Sequence, residues 1–116
     1  MLLEALMHKG HSFVLFPFRV IWMEALLDGD FPVQVAISVP KRNFKRAVDR
    51  NLLKRRIREA YRKSKHSLYG FLQPAHKKIA VLIVYTAKEK QDYELMNVKI
   101  NGVIERLQKE IGDGIA

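Results

Sequence analysis

Basic residues recur at every fourth position in Arg46, Arg50, Lys54, Arg58 and Arg62. On a helix, residues four apart stand over one another, and like charges so placed repel by roughly a few tenths of a kcal/mol per pair. A polyanion relieves that repulsion. Each guanidinium offers a planar fork to two phosphate oxygens, and each neutralised phosphate releases condensed counterions. Setting Arg46 at zero and advancing about 100° per residue puts Arg50, Lys54, Lys65, Arg58, Asn51, Arg62 and Arg55 between roughly 40° and 180°. By the same arithmetic Leu53, Ile57, Ala60 and Tyr61 fall between roughly −40° and 60°. One side of such a helix packs while its neighbour meets phosphate. Asn51, inside the basic flank, can both donate and accept, so it can touch a sugar, a base edge or a metal-bound water where Arg can only donate. A merely solvated helix face mixes its signs, and this one barely does.

The net charge of +9 is unevenly spread. Lys41 to Lys65 holds twelve Lys or Arg against Asp49 and Glu59, a net +10, while the other 91 residues hold nine positive and ten negative charges, a net −1. One stretch therefore carries all of the excess, the footprint expected of a nucleic-acid partner. Hydrolytic chemistry in the chain itself would need clustered carboxylates or a positioned His and base. His8 and His11 lie three apart around Gly10 without an obvious third ligand, and His66 and His76 sit singly near loops. Asp28 and Asp30 flank Gly29 and suit a turn; Asp92 and Glu94 suit a helix start. Neither a catalytic residue nor a metal site is expected. The absence of cysteine removes disulfides and thiolate chemistry and fits a reducing cytoplasm. The longest apolar candidate, Phe13 to Leu27, is interrupted by Pro17, Arg19 and Glu24, so no membrane span is expected, and the first residues lack the order of a signal peptide.

These side chains need a scaffold that 116 residues can build around one core, so a single domain over 1–116 is expected. Leu2 to Met7 suits a short helix ending at Gly10 as a left-handed cap. Phe13 to Leu27 reads as strand with Pro17 at a bend or edge. Val33 to Val39 alternates apolar and polar, predicting a half-buried strand in a hairpin with the preceding one, and Pro40 ends it. Arg46 to Lys65 contains neither Gly nor Pro and predicts a helix. Tyr69 to Lys78, with Gly70 and Pro74, reads as loop, and the apolar run Ile79 to Tyr85 as a buried central strand. Tyr93 to Ile111 places Leu95, Val98, Val103, Leu107 and Ile111 at mostly helical spacing, with Gly112 and Gly114 as stops.

The run Ala47-Val48-Asp49-Arg50-Asn51-Leu52-Leu53-Lys54-Arg55-Arg56-Ile57-Arg58-Glu59 resembles the signature of the bacterial ribonuclease P protein family, Ala-Val-x-Arg-Asn-Arg-x-Lys-Arg-x-x-Arg-Glu. The basic lead-in from Lys41 and the preceding strand Ile37-Ser38-Val39-Pro40 match as well, and the later strand and helix follow in the family's order. Leu52 departs from the pattern, standing where the family usually has the second Arg of its Arg-Asn-Arg core. One phosphate contact is then either missing or supplied by Arg56. The segment ahead of Gly10-His11-Ser12-Phe13 is also shorter than the family's lead-in, which implies a late start or a partly lost first helix.

The resemblance implies an α/β (α+β) two-layer sandwich of the ribosomal protein S5 domain 2-like type, with element order α-β-β-β-α-β-α and a left-handed crossover around the basic helix. It implies that Lys41, Arg42, Lys45, Arg46, Arg50, Asn51, Lys54, Arg55, Arg58 and Arg62 bind ribonuclease P RNA. It further implies a sheet-built cleft for the single-stranded 5′ leader of precursor tRNA, with Phe16, Phe18, Arg19 and Trp22 as candidates, since bases stack on aromatic faces. Alternation predicts Phe16, Phe18 and Val20 on one face and Arg19 and Ile21 on the other. Phosphodiester hydrolysis would belong to the RNA and its Mg2+ ions, with no cofactor on the protein alone. A ribosomal or assembly protein would share the basic helix but not the motif order. A DNA-binding helix-turn-helix would need a helix where Val33 to Val39 reads as strand, so no DNA partner is expected. A protein nuclease would need the missing carboxylates.

Overall fold

The computed structural model describes residue 6, residues 8–25 and residues 29–112. Most of the expected N-terminal helix, and Asp28 and Gly114, lie outside them. Leu6, His8 and Lys9 are helical, and Gly10 N donates to Leu6 O at 2.9 Å. Gly10 does not take the left-handed conformation expected of a cap, because Gly29 is the one glycine of positive φ among the described residues. It is small for a different reason: a Cβ there would stand 2.5 Å from Leu6 O and 2.7 Å from Ile21 Cγ2.

The expected strand from Phe13 is in fact two, β1 (His11–Leu15) and β2 (Phe18–Glu24), folded back on each other at a turn containing the cis Phe16–Pro17 peptide. Then come β3 (Val33–Ser38), helix α1 (Ala47–Leu72), β4 (Ile79–Tyr85) and helix α2 (Tyr93–Gly112). The sheet order is β1-β2-β4-β3. β4 runs antiparallel to β2 and parallel to β3, which corrects the expected hairpin between Val33–Val39 and the strand before it. The physical reason lies in the side chains. Six of the seven β4 residues are buried, so this strand needs neighbours on both edges and cover on both faces. β3 keeps Gln34 and Ala36 exposed and suits an edge.

Both helices cover one face of the sheet. Phe13, Phe18, Val20, Trp22, Val33, Ile79, Val81, Ile83 and Tyr85 meet Leu53, Ile57, Ala60, Leu68 and Leu72 of α1 and Met96, Ile100, Val103, Ile104, Leu107 and Ile111 of α2 in a single core. On the opposite face Leu6 packs with Ile21, Ala80 and Leu82 in a smaller cluster. Helix α1 continues through the expected loop at Tyr69 to Leu72. Leu68 and Leu72 prolong its apolar stripe and are fully buried, which outweighs the cost of about 1 kcal/mol for Gly70 inside a helix. The α2 stripe also differs from the expected one in its first turns. Met96 and Ile100 are buried there, whereas Val98 is 64% exposed. Asp92 Oδ1 caps this helix by accepting from Leu95 N at 2.8 Å.

Among the described residues one charged group, Glu110, is buried at the edge of the core. Glu110 accepts from the Trp22 indole at 2.9 Å and from Arg106 Nε at 2.8 Å, while Arg106 lies 5.1 Å from the centre of the Phe13 ring. Removing the carboxylate leaves a buried N–H donor without a partner, at a cost of about 1–3 kcal/mol. Glu110→Ala is therefore expected to lower stability by about 1–3 kcal/mol, while Glu110→Gln keeps an acceptor and loses less. Urea unfolding followed by the emission of Trp22, the one tryptophan of the chain, reads both.

Candidate nucleic-acid interface

Helix α1 spans 26 residues, about 39 Å. Its stripe Leu53, Ile57, Ala60, Tyr61, Leu68, Leu72 turns toward the sheet and α2. The flank beside the stripe is consequently held outward: Asn51, Arg55, Arg58 and Arg62 are exposed, and Arg50 and Lys54 half-buried. Lys41, Arg42, Lys45 and Arg46 are exposed in the loop and the N-cap ahead of the helix. The ten residues singled out from sequence thus lie on α1 or in the loop that leads into it, and none of them is buried.

Their local roles differ. Arg50 Nη1 donates to the carbonyls of Phe44 at 2.8 Å and Lys45 at 2.9 Å, so this residue also ties down the basic loop. Arg62 pairs with Glu59 at 2.6 Å, and each raises the other's preference for its charged form. Lys54, Arg55 and Arg58 make no ion pair or side-chain hydrogen bond among the described residues, and Arg55 and Arg58 are exposed. Arg56 Nη1 donates to Gln91 O at 2.9 Å. This bond holds it against the 86–91 loop.

That loop is the joint between helix and sheet. The Tyr85 hydroxyl donates to Glu89 O at 2.6 Å and accepts from Gln91 N at 3.0 Å, and burial raises its pKa. Lys90 Nζ lies 2.7 Å from Asp49 Oδ1. Thr86 donates through both N, at 2.8 Å, and Oγ1, at 3.1 Å, to Pro17 O in the β1–β2 turn. The basic helix, the loop and the turn bearing Phe16 are therefore in fixed relation.

The aromatic candidates divide. Phe18 and Trp22 are 0% and 1% exposed on the helix side of the sheet, where they pack the core and offer no face to a base; their assignment to a cleft is corrected. Phe16 is not in a strand, so it does not share the Phe18 face as alternation predicted. It is 56% exposed and borders a shallow depression with Thr86, Ala87, Lys88, Glu89 and Gln91. Arg19 is exposed on the other face of the sheet, between Val14 and Val84 in register. Val14 is 67% exposed, and Val84, half-buried, packs against the edge of the Leu6 cluster. Val14 and Val84 escaped the sequence reading. The alternation Phe13, Val14, Leu15 carried the signal, but only the register shows that both flank Arg19.

Among the described residues no three His, Asp or Glu side chains gather as metal donors, and no helix is long and apolar enough to cross a membrane.

Comparison with known proteins bears on what is bound. The family model described as Ribonuclease P matches residues 3–108. The ribonuclease P protein component of Porphyromonas gingivalis is 34% identical over 85 residues, covering 73% of this chain and 62% of that protein. The corresponding protein of Chlorobium phaeobacteroides is 35% identical over 83 residues, covering 66% and 57%. The chain thus spans less than two thirds of the length of these relatives. The fold matches the RNase P protein from Thermotoga maritima with a TM-score of 0.69 at 22% identity, over 90% of this chain and 89% of that one. The match to Staphylococcus aureus RNase P protein has a TM-score of 0.62 at 24% identity, over 90% and 87%.

The loop joint has a titratable signature. The Lys90 ammonium, by hydrogen bond and charge, holds Asp49 below its ordinary value of 3.8. A carboxylate depressed in the folded state adds stability that is present above its unfolded pKa and is lost as pH falls through the folded one. Lys90→Met is expected to move the Asp49 titration upward, read by carboxyl-detected NMR, and to narrow the acid range in which the loop stays docked.

Proposed function

The chain belongs to the ribonuclease P protein family, and we propose that it is the protein subunit of that ribonucleoprotein, promoting endonucleolytic removal of the 5′ leader from precursor tRNA. The observation that carries this reading is the unbroken cationic flank of α1, built from the motif Ala47 to Glu59 and facing outward by the packing of its other side. Lys41, Arg42, Lys45, Arg46, Arg50, Asn51, Lys54, Arg55, Arg58 and Arg62 would contact the phosphate backbone of ribonuclease P RNA, positioning the protein through charge and counterion release.

The leader would lie on the sheet face away from the helices. Arg19 there can neutralise a phosphate while Val14 and Val84 give bases an apolar surface, and Phe16 at the neighbouring turn offers a ring for stacking. The Thr86–Pro17 and Lys90–Asp49 contacts hold this face in register with α1, so one rigid protein can grip the catalytic RNA and its substrate together. Mg2+ bound by the RNA would supply the hydrolytic chemistry. The protein residues bind and orient, and none acts as acid, base or nucleophile. Screening of phosphate repulsion by this surface lowers the magnesium concentration the complex needs. A cytoplasmic site of action fits a chain without cysteine.

The test is leader cleavage at low magnesium by a bacterial ribonuclease P RNA, with and without the protein, and by the protein alone. Stimulation only in the mixture is the expected result. Tight RNA binding without stimulation would point to a ribosomal or assembly role, and cleavage by protein alone would overturn the mechanism. Arg55→Ala and Arg58→Ala are each expected to weaken RNA binding and to flatten its salt dependence by about one unit of slope. Arg50→Ala should lose more, because it also frees the 44–45 loop.

A further inference from the structure

An apolar strip borders the cationic flank. Val48 and Leu52 stand one turn apart near the start of α1. Val48 is 60% exposed and Leu52 half-buried, so neither belongs to the core. Between them is an open depression of about 400 Å³ lined by Val48, Asp49, Asn51, Leu52 and Arg55. Its single carboxylate, Asp49, is already paired with Lys90, and Arg56 on the far side is held by Gln91 O. The depression therefore has an apolar floor, one neutral amide, one outward guanidinium and no uncompensated negative charge.

Arg55 stands in the wall of the depression and the exposed Arg58 lies on the adjoining flank of the helix, so the charge beside it favours a polyanion. A polyanion whose phosphates meet those cations has one kind of apolar part to place on Val48 and Leu52: a base that has left its stack. The Asn51 amide can donate to and accept from the edge of such a base, and the Arg55 guanidinium can lie on its π face. An unpaired nucleotide in a loop or bulge supplies a base in this form, whereas a duplex keeps its bases stacked. We infer that the Val48–Leu52 depression is a nucleobase socket, receiving one unstacked base of the RNA held by α1. The contact at position 52 is thus apolar, not ionic. This inference rests on the RNA-binding reading above and adds to it a specific element of recognition, since phosphate contacts position the protein while a base contact discriminates.

Affinity for ribonuclease P RNA, measured at several salt concentrations with the full chain, separates the two kinds of contact. Leu52→Ala is expected to weaken binding by about tenfold at every salt concentration with the slope unchanged. Leu52→Met, which keeps apolar bulk, should stay within about twofold. Arg55→Ala, in contrast, should change the slope. Chemical probing of the complex should find at least one unpaired nucleotide shielded by the parent chain and by Leu52→Met but reactive with Leu52→Ala. Two results would overturn the socket: equal binding and equal shielding by Leu52→Ala, or tighter binding by Leu52→Arg with a slope steeper by about one, which would place a phosphate opposite this position. A parent chain that fails to bind the RNA would instead remove the RNA-binding reading itself. Trp22 emission confirms that each variant is folded.

Discussion

The rest of the structure depends on the burial of β4. An apolar run from Ile79 to Tyr85 with six of seven side chains buried is stable only with a strand on either edge and cover on either face. β2 satisfies one edge by antiparallel pairing. The other is taken by β3, which precedes β4 in sequence and runs parallel to it, and a parallel neighbour cannot be reached by a tight turn. The chain must cross from one end of the sheet to the other, and α1 is that crossing. Because the helix has to lay its Leu53–Ile57–Ala60 stripe on the sheet and on α2, its adjoining basic flank has no direction left but outward. The outward cationic surface is a geometric consequence of where a neutral strand sits.

The same strand organises the edges of that surface. Tyr85, its last residue, is buried against Phe18 and Phe44 and uses its hydroxyl to fold the next residues back on themselves through Glu89 and Gln91. Lys90 is thereby delivered to Asp49 and Gln91 O to Arg56. Thr86, the residue after Tyr85, grips Pro17. From one buried phenol the constraint spreads to the start of α1 in one direction and to the β1–β2 turn in the other. The two acids within the basic stretch are each engaged locally, Asp49 by Lys90 and Glu59 by Arg62, which leaves Arg55 and Arg58 free of competition for phosphate.

What the sequence made legible was local. The basic flank and the apolar stripe of α1 follow from a period of about 3.6 residues, and the central place of β4 follows from its unbroken apolar run. Partner choice was not legible, because the alternation of Val33, Val35 and Ile37 shows that a strand is half-buried without naming its neighbour. The hairpin was expected between β2 and β3, and it formed instead inside the segment taken as one strand, at Phe16–Pro17. Alternation placed Phe18 opposite Arg19, but which of the two faces the helices would cover depends on residues more than thirty positions away. Trp22 shares that face and finds Glu110, 88 residues distant, a pairing no local pattern announces. Gly70 suggested a loop where Leu68 and Leu72 had already committed the chain to helix.

The charges that serve binding act against the fold in the free protein, and salt separates the two effects. Cations stacked at every fourth position of α1 repel one another, and dissolved ions screen that repulsion within about 8–10 Å at ordinary ionic strength. Added salt therefore steadies the helix, while it would remove the counterion-release contribution to the proposed RNA binding. The anchoring contacts are of the kind salt hardly touches: the apolar stripe of α1, the Tyr85 hydrogen bonds and the indole–carboxylate pair of Trp22 and Glu110. On the proposed reading, an apolar contact at Val48 and Leu52 would belong with this second group, and a surface composed of both kinds of contact would retain part of its grip, and its preference for one RNA over another, under ionic conditions in which phosphate contacts alone would lose theirs.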